Sequence, residues 1–314
     1  MATVETHAVG RRYGPLVAVS DLTFTLEAGD ILGVLGPNGA GKTTAIRVLT
    51  TILAPSWGSF EVAGVPHTRP DEIRRRIGVL PESTGYPETQ TGVEYLVYHA
   101  RLHGQSRRGA RTVSRQLLDE VGLGERGERR ISTMSRGMRQ RLGIARTLVN
   151  DPDVVFLDEP TLGLDPAGQH QILQLVRRIA SGRGVTVLLS THLLAEVEAN
   201  CPRVLILHRG RVVADGTVGD VVRRAAAPRS GRLRVAPEDA ERARAALASA
   251  PDVGSVAAAE GQPGWLTIEL RAEAGTAANS AVRALLDAGI PLLAFELEGG
   301  RLSDAFLAMT VEVA

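Results

Sequence analysis

The chain contains a single lysine, Lys42, within the segment 36–44, which reads Gly-Pro-Asn-Gly-Ala-Gly-Lys-Thr-Thr. A compact ammonium group on a flexible stem suits a phosphate contact that a planar guanidinium group does not reproduce. In a GxxxxGK[ST] loop, glycines let backbone N–H groups face phosphate oxygens, the lysine reaches the β- and γ-phosphates, and a hydroxyl, here that of Thr43, ligates Mg²⁺. The segment therefore predicts a nucleotide-phosphate site. Its expected contact residues are Gly36, Asn38, Gly39, Ala40, Gly41, Lys42, Thr43 and Thr44.

A pair of carboxylates, Asp158 and Glu159, follows the apolar run Val154–Leu157. Asp158 is a hard oxygen ligand and is expected to support Mg²⁺ directly or through water. Glu159 is then placed to orient and polarise an attacking water molecule. Acidic residues after strands are common, and alone the pair is more often structural. Its position downstream of a GxxxxGK[ST] loop favours the functional interpretation.

Three further features suit the same ligand. Ser135 is a favoured helix N-cap and Gly137 leaves the first turn open, and a helix N-terminus is a natural anion site. His192 follows the run Val185–Leu189, where an imidazole can hydrogen-bond a γ-phosphate. Tyr13 is a candidate ring for stacking on adenine. Local sequence alone favours a plain helix cap at Ser135, and an isolated tyrosine or histidine is often structural.

The elements that would position these residues are short buried strands alternating with helices. The strands Ile31–Leu35, Val154–Leu157 and Val185–Leu189 each run into glycine or polar residues. Alternation with helices predicts an α/β sheet, in which ligands bind beyond the carboxyl ends of the strands. The predicted helices are Thr43–Leu53, Val93–Leu102, Thr112–Val121, Ser135–Val149 and Gly168–Ala180.

Composition limits the class of protein. A length of 314 residues predicts one large or two ordinary domains, and 4% aromatic content leaves Leu, Val, Ile and Ala to fill the core. The net charge of +1 alone suggests neither nucleic acid nor membrane, although residues 231–314 are acidic and the remainder is basic. One cysteine permits no internal disulfide. No apolar run reaches the roughly 18 residues of a membrane helix, and no signal-peptide pattern is present, so a cytoplasmic chain is expected.

The pattern changes after residue 222. Residues 223–232, rich in Arg, Ala and Pro, are predicted to be a linker between residues 1–222 and a second domain, 233–314. The second domain has the order β-α-β-β-α-β, typical of a small α+β ferredoxin-like sandwich. Its predicted elements are strand Leu233–Val235, helix Glu238–Ala250, strands Val253–Ala258 and Trp265–Arg271, helix Thr276–Ala288 and strand Leu292–Leu297. In a last helix, Leu302–Met309, Leu302, Ala305, Phe306 and Met309 share one face that is expected to dock on a core.

In this order the motifs resemble those of the ATP-binding subunit of an ABC transporter, over about residues 3–222. Segment 36–44 resembles Walker A, 134–138 the family signature, 154–159 Walker B with its catalytic glutamate, and 163–165 the D-loop with Asp165. The resemblance implies a P-loop ATPase cassette with a helical subdomain. Its cofactors are ATP and Mg²⁺, with Lys42, Glu159 and His192 catalytic and His192 at the position of the switch histidine. The end of the chain is similar to the extension of type 2 exporters of the daunorubicin-resistance kind.

Two departures from the family pattern bear on function. Glu82 stands where the family usually has a Q-loop glutamine, and it is expected to ligate Mg²⁺ while adding negative charge near the γ-phosphate. The signature has Arg136 and Met138 where glycine and glutamine are usual. Ser135 and Gly137 remain, so a phosphate contact is still expected from this segment.

The resemblance also implies partners. Two copies would sandwich two ATP molecules, each between Walker A of one copy and the signature of the other, on the cytoplasmic side of the cell membrane. A separate multi-pass permease would dock near Glu82–Tyr98, and drug or antibiotic export is the implied activity, with polysaccharide or lipid export left open. The competing class is a soluble ABC ATPase acting on nucleic acid or ribosomes, although no partner of that kind is expected. A further alternative makes the C-terminal domain a small-molecule sensor.

Overall fold

A computed structural model describes residues 2–225, 230–259, 261–271, 274–298 and 302–311. The chain divides into two compact units, Met1–Thr217 and Val218–Ala314. None of the helices within the described ranges combines the length and the apolar character that crossing a bilayer requires.

The first unit contains one mixed sheet with the strand order β5-β4-β1-β2-β10-β9-β3-β8-β7-β6. Its strands are β1 (Ala2–Tyr13), β2 (Leu16–Glu27), β3 (Ile31–Leu35), β4 (Trp57–Val62), β5 (Val65–Pro66), β6 (Ile77–Leu80), β7 (Val154–Asp158), β8 (Thr186–Thr191), β9 (Arg203–His208) and β10 (Arg211–Thr217). Its helices are α1 (Lys42–Leu49), α2 (Pro70–Arg76), α3 (Gly92–Leu102), α4 (Arg107–Glu120), α5 (Arg136–Thr147), α6 (Pro166–Arg183) and α7 (Leu194–Asn200), with short 3-10 turns at Gly124–Glu128 and Ile131–Thr133.

The parallel part of the sheet positions the predicted chemistry. Strands β9, β3, β8, β7 and β6 are parallel neighbours, and β7 and β8 are buried along their whole length. Continuous apolar runs are expected when both faces of a parallel sheet are covered. The register pairs Leu35 with Thr191 and Asp158 with Ser190, so three strands end side by side. The predicted meeting of the strand ends is therefore confirmed.

Helix boundaries differ from the predictions at particular residues. Helix α1 ends at Leu49 rather than Leu53, because Thr51 adopts a left-handed backbone with φ of 60°. Helix α4 begins five residues before the predicted Thr112, since the Ser106 hydroxyl caps it by accepting a bond from the Gly109 amide. Helix α6 continues to Arg183 and ends at Gly184, which adopts φ of 66°.

An antiparallel layer made by β1, β2, β4 and β5 was absent from the predicted elements. Its sequence signal is alternation, because β2 buries every second residue from Leu22 to Leu26. The core beneath it is largely aliphatic, as the composition predicts, with Phe60 and Phe156 as its largest fully buried side chains. Each fully buried Leu, Ile, Val or Phe contributes about 1.5–3 kcal/mol through burial.

The second unit has the predicted order β-α-β-β-α-β. Its elements are α8 (Val218–Ala225), β11 (Ser230–Arg234), a 3-10 turn (Pro237–Asp239), α9 (Ala240–Ala248), β12 (Val253–Ala258), β13 (Trp265–Leu270), α10 (Ala274–Asp287), β14 (Ala294–Glu298) and α11 (Leu302–Val311). The sheet is antiparallel with the order β12-β13-β11-β14, and α9 and α10 both contact β12 and β13. Its core includes Leu233, Leu247, Ile268 and Leu285. The ferredoxin-like assignment stays a prediction.

The prediction of a linker at residues 223–232 is wrong for the part that the structure describes. Residues 223–225 belong to helix α8, and residues 230–232 belong to strand β11. Alanine and arginine are good helix formers, so a composition rich in both extends a helix as readily as it makes a linker. Helix α8 packs against α11 and groups with the second unit, which moves the division from residue 222 to Thr217. In α11, Leu302 and Ala305 are buried as predicted.

Candidate functional site

The loop 36–44 joins β3 to the N-terminus of α1. Gly41 caps the helix at φ of 105°, and a Cβ atom there would lie 2.5 Å from the Ala18 carbonyl oxygen, so only glycine fits. No side chain caps α1, and its first turn holds no acidic residue. The first amides of the helix are therefore available to an anion, which the helix dipole also favours.

Lys42 is 6% exposed at the base of this loop. Its Nζ donates to the Gly36 carbonyl oxygen at 2.7 Å and lies 3.4 Å from Glu159 Oε1. An ammonium group buried this far needs partners, because desolvation of an unpaired charge is costly. The contacts hold the cation beside the strand ends, where the sequence places the two carboxylates.

Ser190 contacts the Asp158 carboxylate and the backbone of Glu159, a role that the sequence did not predict. The Ser190 hydroxyl donates to Asp158 Oδ1 at 2.6 Å and accepts from the Glu159 amide at 2.9 Å. Asp158 Oδ1 also accepts from Thr43 Oγ1 at 3.3 Å. Glu159 adopts φ of 49°, which is uncommon outside glycine and turns the chain sharply after β7. The signal for Ser190 was its position at the end of an apolar strand.

His192 and Glu159 are in direct contact. His192 Nδ1 lies 2.9 Å from Glu159 Oε2, and an ionised carboxylate can only accept, so the imidazole donates from Nδ1. The other ring nitrogen, Nε2, takes no part in this contact. Glu159 is 8% exposed and lies between two potential cations, Lys42 and His192. The three predicted catalytic residues are thus brought together.

These groups open onto a cavity of about 760 Å³, within the usual range for small-molecule sites. Tyr13 lies on its wall with 40% of its surface exposed, and the Arg11 guanidinium carbon sits 5.0 Å from the ring centroid. The cavity is lined by Tyr13, Leu16, Val17, Ala18, Pro37, Asn38, Gly39, Ala40, Gly41, Lys42, Thr43, Thr44, Glu82, Glu159, Leu162, His192 and Arg209. Of these, the predicted contact residues did not include Leu16, Val17, Ala18, Pro37, Leu162 and Arg209. Arg209 follows β9, so the strand-end rule could have found it.

The oxygen donors near Lys42 fit Mg²⁺. The Thr43 hydroxyl and Asp158 carboxylate are already adjacent, and the Glu82 carboxylate lines the same cavity. Such hard oxygen ligands suit Mg²⁺, which usually takes one or two carboxylates and keeps several waters. No cluster of three or more His, Cys, Asp or Glu side chains suited to a metal occurs among the described residues, so a dedicated protein cage is not formed.

Replacing Glu82 with glutamine is expected to keep ATPase activity within the same order of magnitude. The amide oxygen can still act as a hard ligand, and the change removes a negative charge near the bound phosphates. Steady-state hydrolysis against ATP and Mg²⁺ concentration checks this, with Glu88→Gln, an exposed change in the same loop, as the control. Total loss of activity in Glu82→Gln alone would contradict the ligand role.

Four predicted nucleotide contacts, Gly36, Ser135, Gly137 and Asp165, do not line this cavity. Ser135 caps α5 by accepting from the Met138 amide at 3.3 Å, and Asp165 caps α6 by accepting from the Gly168 amide at 3.0 Å. Gly137 lies in the first turn of α5, beside Arg136, whose guanidinium would overlap a Cβ atom at Gly163. Within one copy these residues have local structural roles, and their nucleotide contact stays a prediction.

Comparisons with known proteins give one family. The family described as ABC transporter matches residues 19–162. A daunorubicin/doxorubicin resistance ATP-binding protein, DrrA of Streptomyces peucetius, is 37% identical over 309 residues, or 98% of this chain and 92% of the relative. The solved ATP-binding subunit of an ABC transporter has a TM-score of 0.63 and 32% identity over 71% of this chain and 92% of its own.

A second solved structure shows likeness of fold alone. It is a dimeric ATP-binding cassette in a post-hydrolysis state, bound to ADP and Pi, with a TM-score of 0.61 and 23% identity. The alignment covers 68% of this chain and 98% of that one.

Proposed function

The chain belongs to the ABC transporter family, and on that premise we propose that it drives efflux of a drug or antibiotic through a separate membrane subunit. Membership makes it an ATP-binding subunit and an ATPase. The observation that carries the proposal is the convergence of Lys42, Glu159 and His192 on one cavity beside a phosphate-binding loop. Nothing in the comparisons supports the nucleic-acid alternative.

Hydrolysis follows from this geometry. Lys42 and the loop amides stabilise the charge that develops on the transferred phosphoryl group. Glu159, which lies beside Lys42 and His192, orients the attacking water and accepts its proton. Thr43, Asp158 and Glu82 would hold Mg²⁺, which would supply further neutralisation of charge on the phosphate oxygens. Tyr13 offers its exposed ring for stacking on the adenine.

The unit that turns over is proposed to be a dimer of this chain. Ser135 and Gly137 lie at the N-terminus of α5 and are absent from the cavity wall, so they would serve the nucleotide of a second copy. A dimer in that arrangement would close on ATP and open after hydrolysis. The dimeric cassette bound to ADP and Pi has the same fold and supports such an arrangement.

The membrane partner is proposed to dock near residues 82–98, on the cytoplasmic side of the membrane. Helix α3 leaves Tyr98 and Leu102 exposed, at 55% and 65%, at the end of this region. These two residues are four positions apart and therefore neighbours on one face of α3, and a contiguous exposed apolar patch marks a candidate contact. The daunorubicin/doxorubicin resistance relative, which aligns along nearly the whole chain, supports drug efflux over the other export classes.

The tagged chain, purified after gentle solubilisation of membranes, is expected to bring down a multi-pass protein in stoichiometric amount. Vesicles containing both proteins are then expected to move doxorubicin only when ATP is supplied. Tyr98→Ser, which leaves the ATP cavity intact, should weaken co-purification without altering hydrolysis. Recovery of ribosomes or nucleic acid, or a chain that never associates with membranes, would refute the export proposal.

A further inference from the structure

A carboxyl group outside the predicted site accepts hydrogen bonds from the segment after Glu159 and from the residue before His192. We propose that Glu196, in helix α7, is a positioning residue that fixes Glu159 and His192 at hydrogen-bond distance for hydrolysis. The inference deepens the proposed function and rests on it. Glu196 itself is not among the residues that line the cavity.

The link consists of two hydroxyl groups that donate to one carboxylate oxygen. Thr161 Oγ1 lies 3.0 Å and Thr191 Oγ1 3.3 Å from Glu196 Oε2. Both threonines are at most 1% exposed, so water cannot replace these bonds. Burial makes such hydrogen bonds costly to lose, because a donor without a partner bears the full desolvation penalty.

Each threonine lies next to a catalytic residue. Thr161 follows Glu159 by two positions, in the turn that leaves β7 with a left-handed backbone at Glu159. Thr191 directly precedes His192, and its hydroxyl also accepts from the Leu193 amide at 3.1 Å. Through these two contacts Glu196 sets where the chain turns after Glu159 and where β8 ends before His192. Displacement of either turn would lengthen the 2.9 Å contact between His192 Nδ1 and Glu159 Oε2.

The rest of helix α7 holds Glu196 in place. Asn200 donates from Nδ2 to the Glu196 backbone carbonyl at 2.9 Å, and Val197 is fully buried beside it. These contacts fix the backbone from which the carboxyl projects. The carboxyl is therefore carried by regular secondary structure, which suits a residue that positions two loops.

The electrostatics argue against a generic packing role. Glu196 Oε1 is buried and accepts no hydrogen bond from the described residues. Burial is the largest influence and raises the pKa of the carboxyl, whereas the two threonine hydroxyls lower it. Of the charged neighbours, His192 lowers the pKa and Glu159 raises it. Burial of a carboxyl is unfavourable unless its oxygens are bonded, and Oε2 is bonded by the two threonine hydroxyls.

The test compares Glu196→Ala with Glu196→Gln in the full-length chain. Glu196→Ala removes the shared acceptor and is expected to lower kcat about 100-fold with little change in KM, since small displacements of catalytic groups cost that much. Glu196→Gln keeps an oxygen acceptor for both hydroxyls and is expected to retain most of the activity. Glu198→Ala, an exposed change in the same helix, is the matched control.

Thr161→Val and Thr191→Val each remove one donor without changing volume and guard against a Glu196→Ala chain that fails to fold. Each is expected to lower kcat with unchanged ATP binding. Normal kcat in folded Glu196→Ala, or equal loss in Glu196→Gln and Glu196→Ala, would overturn the positioning role. A wild-type chain that hydrolyses ATP but moves no drug would instead refute only the proposed function.

Discussion

Replacement of Glu159 with glutamine is expected to slow ATP hydrolysis by at least about 100-fold, the usual contribution of a general base. The amide keeps the size of the side chain, and its one oxygen can still accept from Lys42 or from His192, so ATP binding should be retained. It cannot accept the proton of the attacking water. Single-turnover hydrolysis and equilibrium binding of a fluorescent ATP analogue separate the two effects.

The matched control is Glu198→Gln, which makes the same chemical change on an exposed part of helix α7. It should hydrolyse ATP at the wild-type rate. A Glu159→Gln chain that turns over normally would remove Glu159 from the mechanism. A chain that neither binds nor hydrolyses ATP would show that the carboxylate acts on the loop rather than on water.

Replacement of Lys42 with alanine is expected to weaken ATP binding by roughly 10- to 100-fold, as the loss of one charge-assisted contact worth about 1.5–3 kcal/mol implies. It also leaves the buried Glu159 without its cationic neighbour, which costs stability. Nucleotide titration with the same analogue, together with the thermal midpoint of the unliganded chain, measures the two consequences separately.

Arg47→Ala is the control for the lysine change, because Arg47 lies in the same helix with its side chain exposed and outside the cavity. It should bind ATP as the wild type does. If Lys42→Ala bound ATP with unchanged affinity while folded, the segment 36–44 would not be the phosphate-binding loop.

The sequence predicted the centre of the site because Glu159 and His192 each directly follow a strand that is recognisable as an apolar run. The apolar runs before Asp158 and His192 predict buried parallel strands, and the carboxyl ends of parallel strands meet at one edge of a sheet. The structure places Glu159 and His192 in contact there, beside Lys42. The types of the residues and their order in the chain were sufficient to predict that Lys42, Glu159 and His192 lie together.

What escaped prediction depends on contacts between distant segments. Ser190 bonds Asp158 and the Glu159 amide across two strands, and Glu196 joins Thr161 to Thr191. Serine, threonine and glutamate are common surface residues, so their types carry no signal until the fold brings them together. The antiparallel strands were missed for another reason. Their signal is an alternation of buried and exposed residues, which is weaker than a continuous apolar run.

The contact between Lys42 and Glu159 implies that phosphate binding precedes activation of the water molecule. The Lys42 ammonium also donates to the Gly36 and Pro37 carbonyl oxygens, so we expect an arriving phosphate to compete with Glu159 for its remaining donor. Once the phosphate has replaced Glu159 as the partner of Lys42, Glu159 Oε1 no longer contacts the ammonium group and is available to a water molecule. Binding of a phosphate at Lys42 is therefore expected to free the base that acts on it, which links readiness for chemistry to occupancy.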